Sequence, residues 1–358
     1  MLKKAFLTIV AVGLLFGLTG CIKITKKSEV VGSGSGIFWS QDRGETFASR
    51  SKLLTPGAID GSIGGTNVTA MLEDPNDPYT LYVGTAVDGL YYSYTAGDGW
   101  TRASDLYNKI KGVIYSVAVD PKNKCNVYVA IGNQIAKSSD CNRTWKIGVL
   151  ITPGTEVIKS LAIDWANPAN LFAVTVTGAV YRSGNYGDNW TRLADIKKEI
   201  SRLVIDPTDS KVMYAVSPKA GLYRSSDAGN KWDSLQAKMK NFKGGLERGV
   251  GLGVAKDTPN TIFYLSRFGL LKSSDRGDTW SQVKLLTGDN TTDFTAFDIA
   301  ESTSKILFYT DAKVLYRSFD GGASWDTVTL PSVNRVAELL INSKSDKIIY
   351  FGFQKVTN

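Results

Sequence analysis

Carboxylates are the side chains of this sequence that could carry acid–base chemistry. The 358 residues include 34 Asp and Glu residues and no His. Without His, the chain cannot form a Ser-His-Asp triad, a Cys-His pair or a His-ligated metal site. No Gly-rich phosphate loop stands between a strand and a helix, so nucleotide chemistry lacks support. The remaining option is glycosidic hydrolysis by two carboxylates, about 5 Å apart in a retaining mechanism and about 6.5 to 9.5 Å apart in an inverting one.

Many of the aspartates, however, belong to a repeated eight-residue pattern, Ser-x-Asp-x-Gly-x-Thr-Trp. The segment Ser273–Trp280 matches this pattern in full. Weaker or stronger copies begin at six other serines: Ser40, Ser93, Ser138, Ser183, Ser225 and Ser318. A spacing of about 45 residues is typical of repeat architectures, and seven copies predict seven units of one fold.

Each copy has the composition of a hairpin turn. Its Asp can accept hydrogen bonds from nearby amides, and its Gly supplies positive φ. The residues to which we assign this structural role are Asp42, Asp140, Asp227, Asp275, Asp320, Trp190, Trp232, Trp280 and Trp325. Some copies depart from the pattern, with Thr95 or Asn185 in place of Asp and Asn142 in place of Gly. Repetition at one turn position favours a structural role over a catalytic one.

The segments between these turns predict β-strands. Alternating apolar residues such as Val314–Ser318 precede each turn, and shorter buried runs such as Val127–Ala130 lie further upstream. Four antiparallel strands every ~45 residues match a β-propeller blade. The first unit holds only its last two strands, and residues 336–341 and 348–353 supply the missing pair. The sequence therefore predicts an all-β, seven-bladed β-propeller with four antiparallel strands per blade, closed by a composite blade from both termini.

These turns resemble the Asp-box, or bacterial neuraminidase repeat (BNR), of a propeller family. That family includes sialidases, sortilin-type receptor domains, xyloglucanase-type glycoside hydrolases and photosystem II stability and assembly factors. The resemblance covers essentially all of residues 36 to 353. It implies the propeller fold but not a single function, because the family contains both catalysts and binding proteins.

Two features of the sequence argue against the enzymes of this family. The Arg-Ile-Pro stretch of the sialidases is absent, and Arg182, Arg224 and Arg317 recur at one repeat position, which indicates blade architecture. Xyloglucanase-type enzymes resemble two propellers facing each other across a cleft, whereas this chain has one. The assembly-factor branch, a single propeller without a recognisable catalytic set, is the better match.

The N-terminus has the pattern of an export signal. Lys3 and Lys4 precede an apolar run that ends in Leu18-Thr19-Gly20-Cys21. This ending resembles the lipobox of bacterial lipoproteins, which implies cleavage before Cys21 and lipid attachment to it; the alternative is an ordinary cleaved signal peptide. We expect a signal peptide at 1–20, a flexible tether at 21–35 and the propeller at 36–358. The protein is then lipid-anchored on the extracytoplasmic side of a bacterial membrane, at the cell surface or in the periplasm.

The other two cysteines, Cys125 and Cys141, are predicted to form a disulfide. They flank a predicted hairpin that turns at Gly132 and Asn133, and this register places them opposite each other. An exported protein folds in an oxidising compartment. Metal binding is the competing interpretation, but two cysteines and no His make a poor site. We predict no metal and no cofactor.

The loop face of the propeller, opposite the repeated turns, should carry the functional residues. Its predicted acids are Asp60, Asp88, Asp105, Glu156, Asp195, Glu199, Glu247, Asp289, Asp293 and Asp311, and the sequence does not select a pair. Its candidate basic residues are Lys159, Arg202, Lys240, Lys243, Arg248, Arg267 and Arg335. Several lie at the start of an innermost strand, where they would ring the central channel. The hypothesis is that this face binds an acidic partner, and the alternative is a merely solvated basic surface.

The function predicted from the sequence is that of a binding or assembly scaffold. Its partner would be an acidic protein or an anionic glycan, and the formal charge of +8 does not require nucleic acid. The alternative is a glycan-processing enzyme or a lectin that uses carboxylates of the long loops. Catalytic residues are not identified by the sequence.

Overall fold

The computed structural model describes residues 34–54, 61–148 and 156–355. Their strands form seven four-stranded antiparallel sheets and one two-stranded ribbon. Each large sheet is one blade, so the predicted all-β, seven-bladed propeller is confirmed. We number the blades 1 to 7 along the chain, with blade 7 composed of both chain ends.

The strands, in chain order, have the following bounds. The N-terminal part of blade 7 and the ribbon contain β1 (Gly36–Ser40), β2 (Ala48–Ser49), β3 (Lys52–Leu53) and β4 (Gly61–Ser62). Blade 1 contains β5 (Val68–Asp74), β6 (Asp77–Thr85), β7 (Leu90–Ser93) and β8 (Thr101–Arg102). Blade 2 contains β9 (Ile114–Asp120), β10 (Asn123–Ile131), β11 (Gln134–Ser138) and β12 (Lys146–Ile147). Blade 3 contains β13 (Ile158–Ile163), β14 (Leu171–Thr175), β15 (Ala179–Ser183) and β16 (Thr191–Asp195).

The remaining blades continue the same order. Blade 4 contains β17 (Arg202–Asp206), β18 (Asp209–Ser217), β19 (Gly221–Ser225) and β20 (Asp233–Ser234). Blade 5 contains β21 (Gly249–Val254), β22 (Ile262–Ser266), β23 (Gly269–Ser273) and β24 (Ser281–Val283). Blade 6 contains β25 (Ala296–Ile299), β26 (Leu307–Thr310), β27 (Val314–Ser318) and β28 (Asp326–Thr329). Blade 7 ends with β29 (Arg335–Ile341) and β30 (Ile349–Gln354), and helix α1 (Ser104–Lys109) and a 3₁₀ turn (Gln236–Met239) lie between blades.

The core lies between the blades. Seven hydrophobic clusters are present in the described part of the chain, and each joins one blade to the next. The second strand of a blade is apolar on both faces because both faces meet a neighbouring blade, and Leu171–Thr175 is buried throughout. The fourth strand is short and largely exposed, as in Thr191–Asp195. Burial on both sides explains the continuous apolar runs in the sequence.

The termini close the ring as predicted. Blade 7 has the strand order β2-β1-β30-β29, and its central pairing places Trp39 opposite Tyr350. Their rings stack with centroids 6.3 Å apart. The outermost strand of each blade begins one residue after the Trp or Phe of its repeat turn. In blade 7 it begins at Ala48 rather than at Phe47.

The predicted disulfide between Cys125 and Cys141 is present. It links the start of β10 to the turn after β11, next to a register in which Val127 faces Ser138. The Cys141 amide also donates to the Cys125 carbonyl at 3.3 Å. The disulfide therefore reinforces the one repeat turn in which Asn142, at φ 70°, replaces Gly.

The predicted signal peptide, the predicted lipidation site Cys21 and most of the predicted tether lie outside the described residues. At Gly34, the first described residue, the carbonyl accepts a hydrogen bond from Ser332 Oγ at 2.8 Å, and the next residue, Ser35, is buried. Chain near residue 34 thus already packs against the propeller. Within the described ranges no helix has the length and apolar character needed to cross a membrane.

Candidate functional site

The innermost strands of all seven blades surround an axial channel. A cavity of about 660 Å³ extends along it and is lined by residues of β5, β9, β13, β17, β21, β25 and β29. Its walls are mainly Ala, Val, Leu and Ile, with a few charged side chains. A second cavity of about 420 Å³ continues toward the face that carries the repeat turns. Such concave, partly apolar spaces with few polar groups are typical of ligand sites.

Charged residues meet at one level of the channel. Arg202 of blade 4 and Glu338 of blade 7 both line the larger cavity and occupy the same repeat position, opposite Val216 and Gly352 of their second strands. Burial raises the pKa of Glu338, and the charge of Arg202 partly opposes this rise. Lys159 also lines the cavity with its ammonium 4.2 Å from the Tyr115 ring centre, and burial lowers its pKa. Lys159 and Arg202, two of the basic residues predicted to ring the channel, thus line it.

Two further carboxylates lie lower in the channel. Burial raises the pKa of Asp298 to about 7, although Arg202 and two backbone N–H donors oppose the rise. Burial likewise raises the pKa of Glu73 to about 7, against hydrogen bonds from Ser343 and Asn342. Glu301 lies near both and further disfavours their ionisation.

These two carboxylates also join the closing blade to its neighbours. Asp298 of blade 6 accepts from the Ile341 amide at 2.8 Å. Glu73 of blade 1 accepts from Asn342 Nδ2 at 2.7 Å and from the Ser343 amide at 3.1 Å. Blade 7 is therefore held on both sides by a carboxylate that accepts hydrogen bonds from it.

Among the described residues, no group of three or more Asp, Glu, Cys or His side chains lies close enough together to hold a metal ion.

Sequence reasoning missed Glu73, Asp298, Glu301 and Glu338. The signal that could have found two of them, Glu73 and Asp298, is the repeat itself. At the position of Glu73, the other six innermost strands carry Val or Ile, and at the position of Asp298 they carry Leu, Ala, Val or Gly. A charge at a position that is apolar in every other repeat points to the channel.

Four of the five remaining basic candidates lie on the loop face of blade 5. The backbone amide of Arg267 donates to the Arg248 carbonyl at 3.0 Å, which brings these two residues side by side. The long loop before β21 is anchored by buried Leu235, Met239 and Leu246. Its exposed positions include Lys240 and Lys243. Arg335 lies apart, at the exposed start of β29.

Within the described ranges, none of the residues Lys240, Lys243, Arg248, Arg267 and Arg335 forms an ion pair with a carboxylate. By contrast, Lys219 pairs with Glu199 at 2.7 Å on the same side of the molecule. We name the four residues Lys240, Lys243, Arg248 and Arg267 the blade 5 basic patch. Its charges are free to meet an acidic partner.

Most acids predicted on the loop face hold their own loops. Asp105 accepts from Lys109 at 2.8 Å and from the Trp145 amide at 2.7 Å. Asp195 pairs with Arg192 at 2.6 Å, and Asp311 accepts from Tyr316 Oη at 3.0 Å. Both oxygens of Asp289 accept from Gln282. Asp60 lies outside the described residues.

The repeat turns have the geometry expected of structural turns. In the turn of blade 5, Asp275 accepts from Ser273 Oγ, the Thr279 amide and Thr279 Oγ1. Burial opposes ionisation, but these hydrogen bonds outweigh it and lower the pKa of Asp275 to about 2. Asp42, Asp140, Asp227 and Asp320 accept equivalent bonds, and Trp190, Trp232, Trp280 and Trp325 each donate through Nε1 to a carbonyl. Their carboxylates are used within the turns.

Two of the three recurring arginines connect neighbouring blades, and the third, Arg182, donates to Asn170 Oδ1 at 2.9 Å within blade 3. Arg224 donates to the Arg276 carbonyl at 2.8 Å and contacts Asp278 at 3.3 Å. Arg317 donates to the Arg43 carbonyl at 2.8 Å. These contacts support the interpretation of the arginines as blade architecture.

Comparison with known proteins supports the fold. The family model described as sortilin, neurotensin receptor 3 (Sortilin-Vps10) matches residues 178–267. No match was found among curated proteins. The chain is similar in structure to the GH74 xyloglucanase from Xanthomonas campestris, with a TM-score of 0.65, 19% identity, and coverage of 81% of this chain and 51% of that one.

Two other solved structures are similar at comparable levels. One is YCF48 bound to D1 peptide, with a TM-score of 0.61, 15% identity, and coverage of 82% of this chain and 94% of that one. The other is the extracellular domain of a hybrid two-component system from B. thetaiotaomicron, with a TM-score of 0.60, 11% identity, and coverage of 85% and 38%. The chain spans about half the length of the xyloglucanase. At these identities the likeness establishes a propeller and leaves function to the site.

Proposed function

We propose that this protein is an extracytoplasmic, lipid-anchored scaffold whose loop face binds an acidic protein segment or an anionic glycan. The observation that carries the proposal is the blade 5 basic patch. Arg248 and Arg267 are held side by side, the four cations lack carboxylate partners among the described residues, and buried apolar residues fix the loop that presents Lys240 and Lys243. Uncompensated positive charge on a fixed surface attracts anionic partners.

The anchor belongs to the same proposal. Residues 1–20 would be removed, Cys21 would carry lipid, and residues up to 35 would connect it to the propeller. Two or more acyl chains give stable anchoring. YCF48 was solved with a peptide bound, which supports a peptide as one partner class for a single propeller of this type. Mass spectrometry of the protein purified from membranes tests the anchor by the mass of the N-terminal peptide.

Binding to the patch is tested with an oligoglutamate peptide and a sulfated oligosaccharide at low salt. The variant is Lys240→Ser, Lys243→Ser, Arg248→Ser and Arg267→Ser combined. The matched control places the same loss of charge on the turn face, with Lys211→Ser, Lys305→Ser, Lys344→Ser and Lys347→Ser combined. We expect the patch variant to lose binding and the control to keep it. Added salt should weaken ligand binding by the wild type and by the control. Equal binding by the patch variant and wild type would remove the proposal.

The alternative is a glycan-processing enzyme or lectin that uses the channel. The observation that favours it is that burial raises the pKa of two carboxylates along the channel: Glu338 lines the cavity of about 660 Å³, and Asp298 lines the adjoining cavity of about 420 Å³. A carboxyl group that keeps its proton near neutral pH is suited to act as a general acid. Structural similarity to GH74 enzymes makes the test worthwhile.

A panel of oligosaccharides assayed for hydrolysis separates the two functions. Turnover that disappears in Glu338→Gln but persists in Asp289→Asn would assign the channel as the active site. Absence of turnover together with peptide or glycan binding at the patch would assign the scaffold.

A further inference from the structure

We propose a second binding site on the turn face, in the cleft between blades 1 and 2, that takes a carboxylated sugar residue. The cleft has a volume of about 390 Å³ and is lined by Asp74, Asp77, Tyr82, Tyr92, Tyr94, Lys124, Cys141 and Arg143. It lies on the face opposite the blade 5 basic patch, so the proposal is independent of the proposed function.

The cleft lacks the ion pair that lines the neighbouring cleft, which has a volume of about 350 Å³. Between blades 2 and 3, Lys137 of one blade pairs with Asp188 of the next at 2.9 Å. The equivalent positions between blades 1 and 2 are Tyr92 and Arg143. Among the described residues the Arg143 guanidinium forms no ion pair, and its side chain is exposed. Arg143 therefore occupies the position of the acid Asp188, and none of the described carboxylates pairs with its guanidinium.

Tyrosine rings form the wall of this cleft. Tyr92 and Tyr94 lie with ring centres 5.2 Å apart, and Tyr94 is 51% exposed. Asn142 donates to the hydroxyls of Tyr82 and Tyr94 at 3.2 Å each, and the Tyr94 hydroxyl donates to the Cys141 carbonyl. The rings are thus held in place before any ligand arrives, next to the disulfide.

The floor of the cleft has an acceptor without a donor. Asp74 is 1% exposed, and its Oδ2 has no hydrogen-bond partner, whereas its Oδ1 accepts from Asn76. In blade 2 the corresponding oxygen of Asp120 accepts from Asn126 Nδ2 at 3.0 Å. In blade 1 the residue at the Asn126 position is Thr80, which bonds to Asp77 instead. A buried polar atom without a partner is costly, and a ligand hydroxyl supplies the missing donor.

These features together select a carboxylated sugar. A free guanidinium binds a carboxylate through paired hydrogen bonds. The C–H face of a sugar ring packs on the electron-rich face of a tyrosine. An extended peptide is less suited, because it binds by pairing its backbone with a strand edge, whereas the lining residues of this cleft are mainly tyrosines and charged residues. The volume also lies at the size of a small ligand site rather than of a peptide groove.

The test uses the protein's own repeat. Tyr92→Lys combined with Arg143→Asp installs the ion pair of the neighbouring cleft and should preserve folding, which thermal unfolding checks. Binding of glucuronic acid and of a galacturonic acid trisaccharide is measured by titration calorimetry or ligand-observed NMR, with glucose as the neutral control. We expect the wild type to prefer the acids and the double variant to bind them at least about tenfold more weakly.

A single variant addresses the role of the cation. Arg143→Gln should remove the preference for acids over glucose, while tyrosine packing keeps weak binding of both. Three results would overturn the proposal: no binding of either acid by the wild type, unchanged binding by the folded double variant, or oligoglutamate binding more tightly than the sugars with the same dependence on Arg143. The last result would assign the cleft to an acidic peptide.

Discussion

Replacing Asp275 with Ala measures what one repeat turn contributes to the propeller. Asp275 Oδ1 accepts from Ser273 Oγ at 2.7 Å and from the Thr279 amide at 2.8 Å, and Oδ2 accepts from Thr279 Oγ1 at 2.5 Å. A net contribution of about 1 kcal/mol per hydrogen bond gives a loss of about 2 to 3 kcal/mol in the free energy of unfolding. Urea denaturation at neutral pH, followed by fluorescence and circular dichroism, is the assay.

Asn at the same position is the matched control. In blade 3 the chain itself uses Asn185, whose Oδ1 accepts from Ser183 Oγ and the Asn189 amide at 2.9 Å each. Asp275→Asn should therefore keep two of the three bonds and cost about 1 kcal/mol. The reasoning is refuted if Asn costs as much as Ala, or if Ala costs less than about 0.5 kcal/mol.

The pH dependence of this loss has a defined sign. The folded-state pKa of Asp275 is about 2, below its ordinary value of 3.8. Its stabilising contribution is therefore complete above about pH 4 and is lost as the pH falls through 2. The difference in the free energy of unfolding between wild type and Asp275→Ala should shrink between about pH 4 and about pH 2.

Three further predictions concern the blades and the channel. Replacing Cys125 and Cys141 with Ser opens a loop of sequence separation 16 and should lower the free energy of unfolding by about 3 kcal/mol; free thiols in protein purified without reductant would contradict the bond. The pKa of Glu73 is raised to about 7, so its contribution to the free energy of unfolding is complete below pH 4.5 and is lost as the pH rises through 7. The loss should be about 2 kcal/mol after allowance for solvent screening in the channel. Glu73→Gln should flatten this pH dependence, as measured by urea denaturation. Arg202→Met removes a cation that favours the ionised form of Glu338 and should raise the pKa of Glu338 further, as measured by NMR titration. An unchanged pKa would disprove this electrostatic interaction.

The candidate sites were predicted unevenly. Lys240, Lys243, Arg248 and Arg267 were proposed from their place in the connections, because antiparallel strands fix which connections share a face. The structure then brought Arg248 and Arg267 together through a backbone bond that no local pattern encodes. Their assignment as a binding patch stays a prediction until partner binding is measured.

The channel carboxylates and the tyrosine cleft needed the ring. Glu338 and Arg202 are separated by more than a hundred residues, and they approach only because blades 4 and 7 face the same axis. Likewise, Tyr92 and Arg143 belong to different repeats and line the same cleft. The absence of an ion pair at their positions can therefore be recognised only where the two blades meet.

The sequence by itself determined the number of blades, the composite closure and the disulfide, because each follows from period, alternation and hairpin register within one repeat. The tertiary structure alone decided which side chains share the channel and which clefts between blades lack an ion pair. The physical reason is that local patterns specify each blade, whereas burial, charge pairing and pKa depend on contacts between blades that are far apart in the chain.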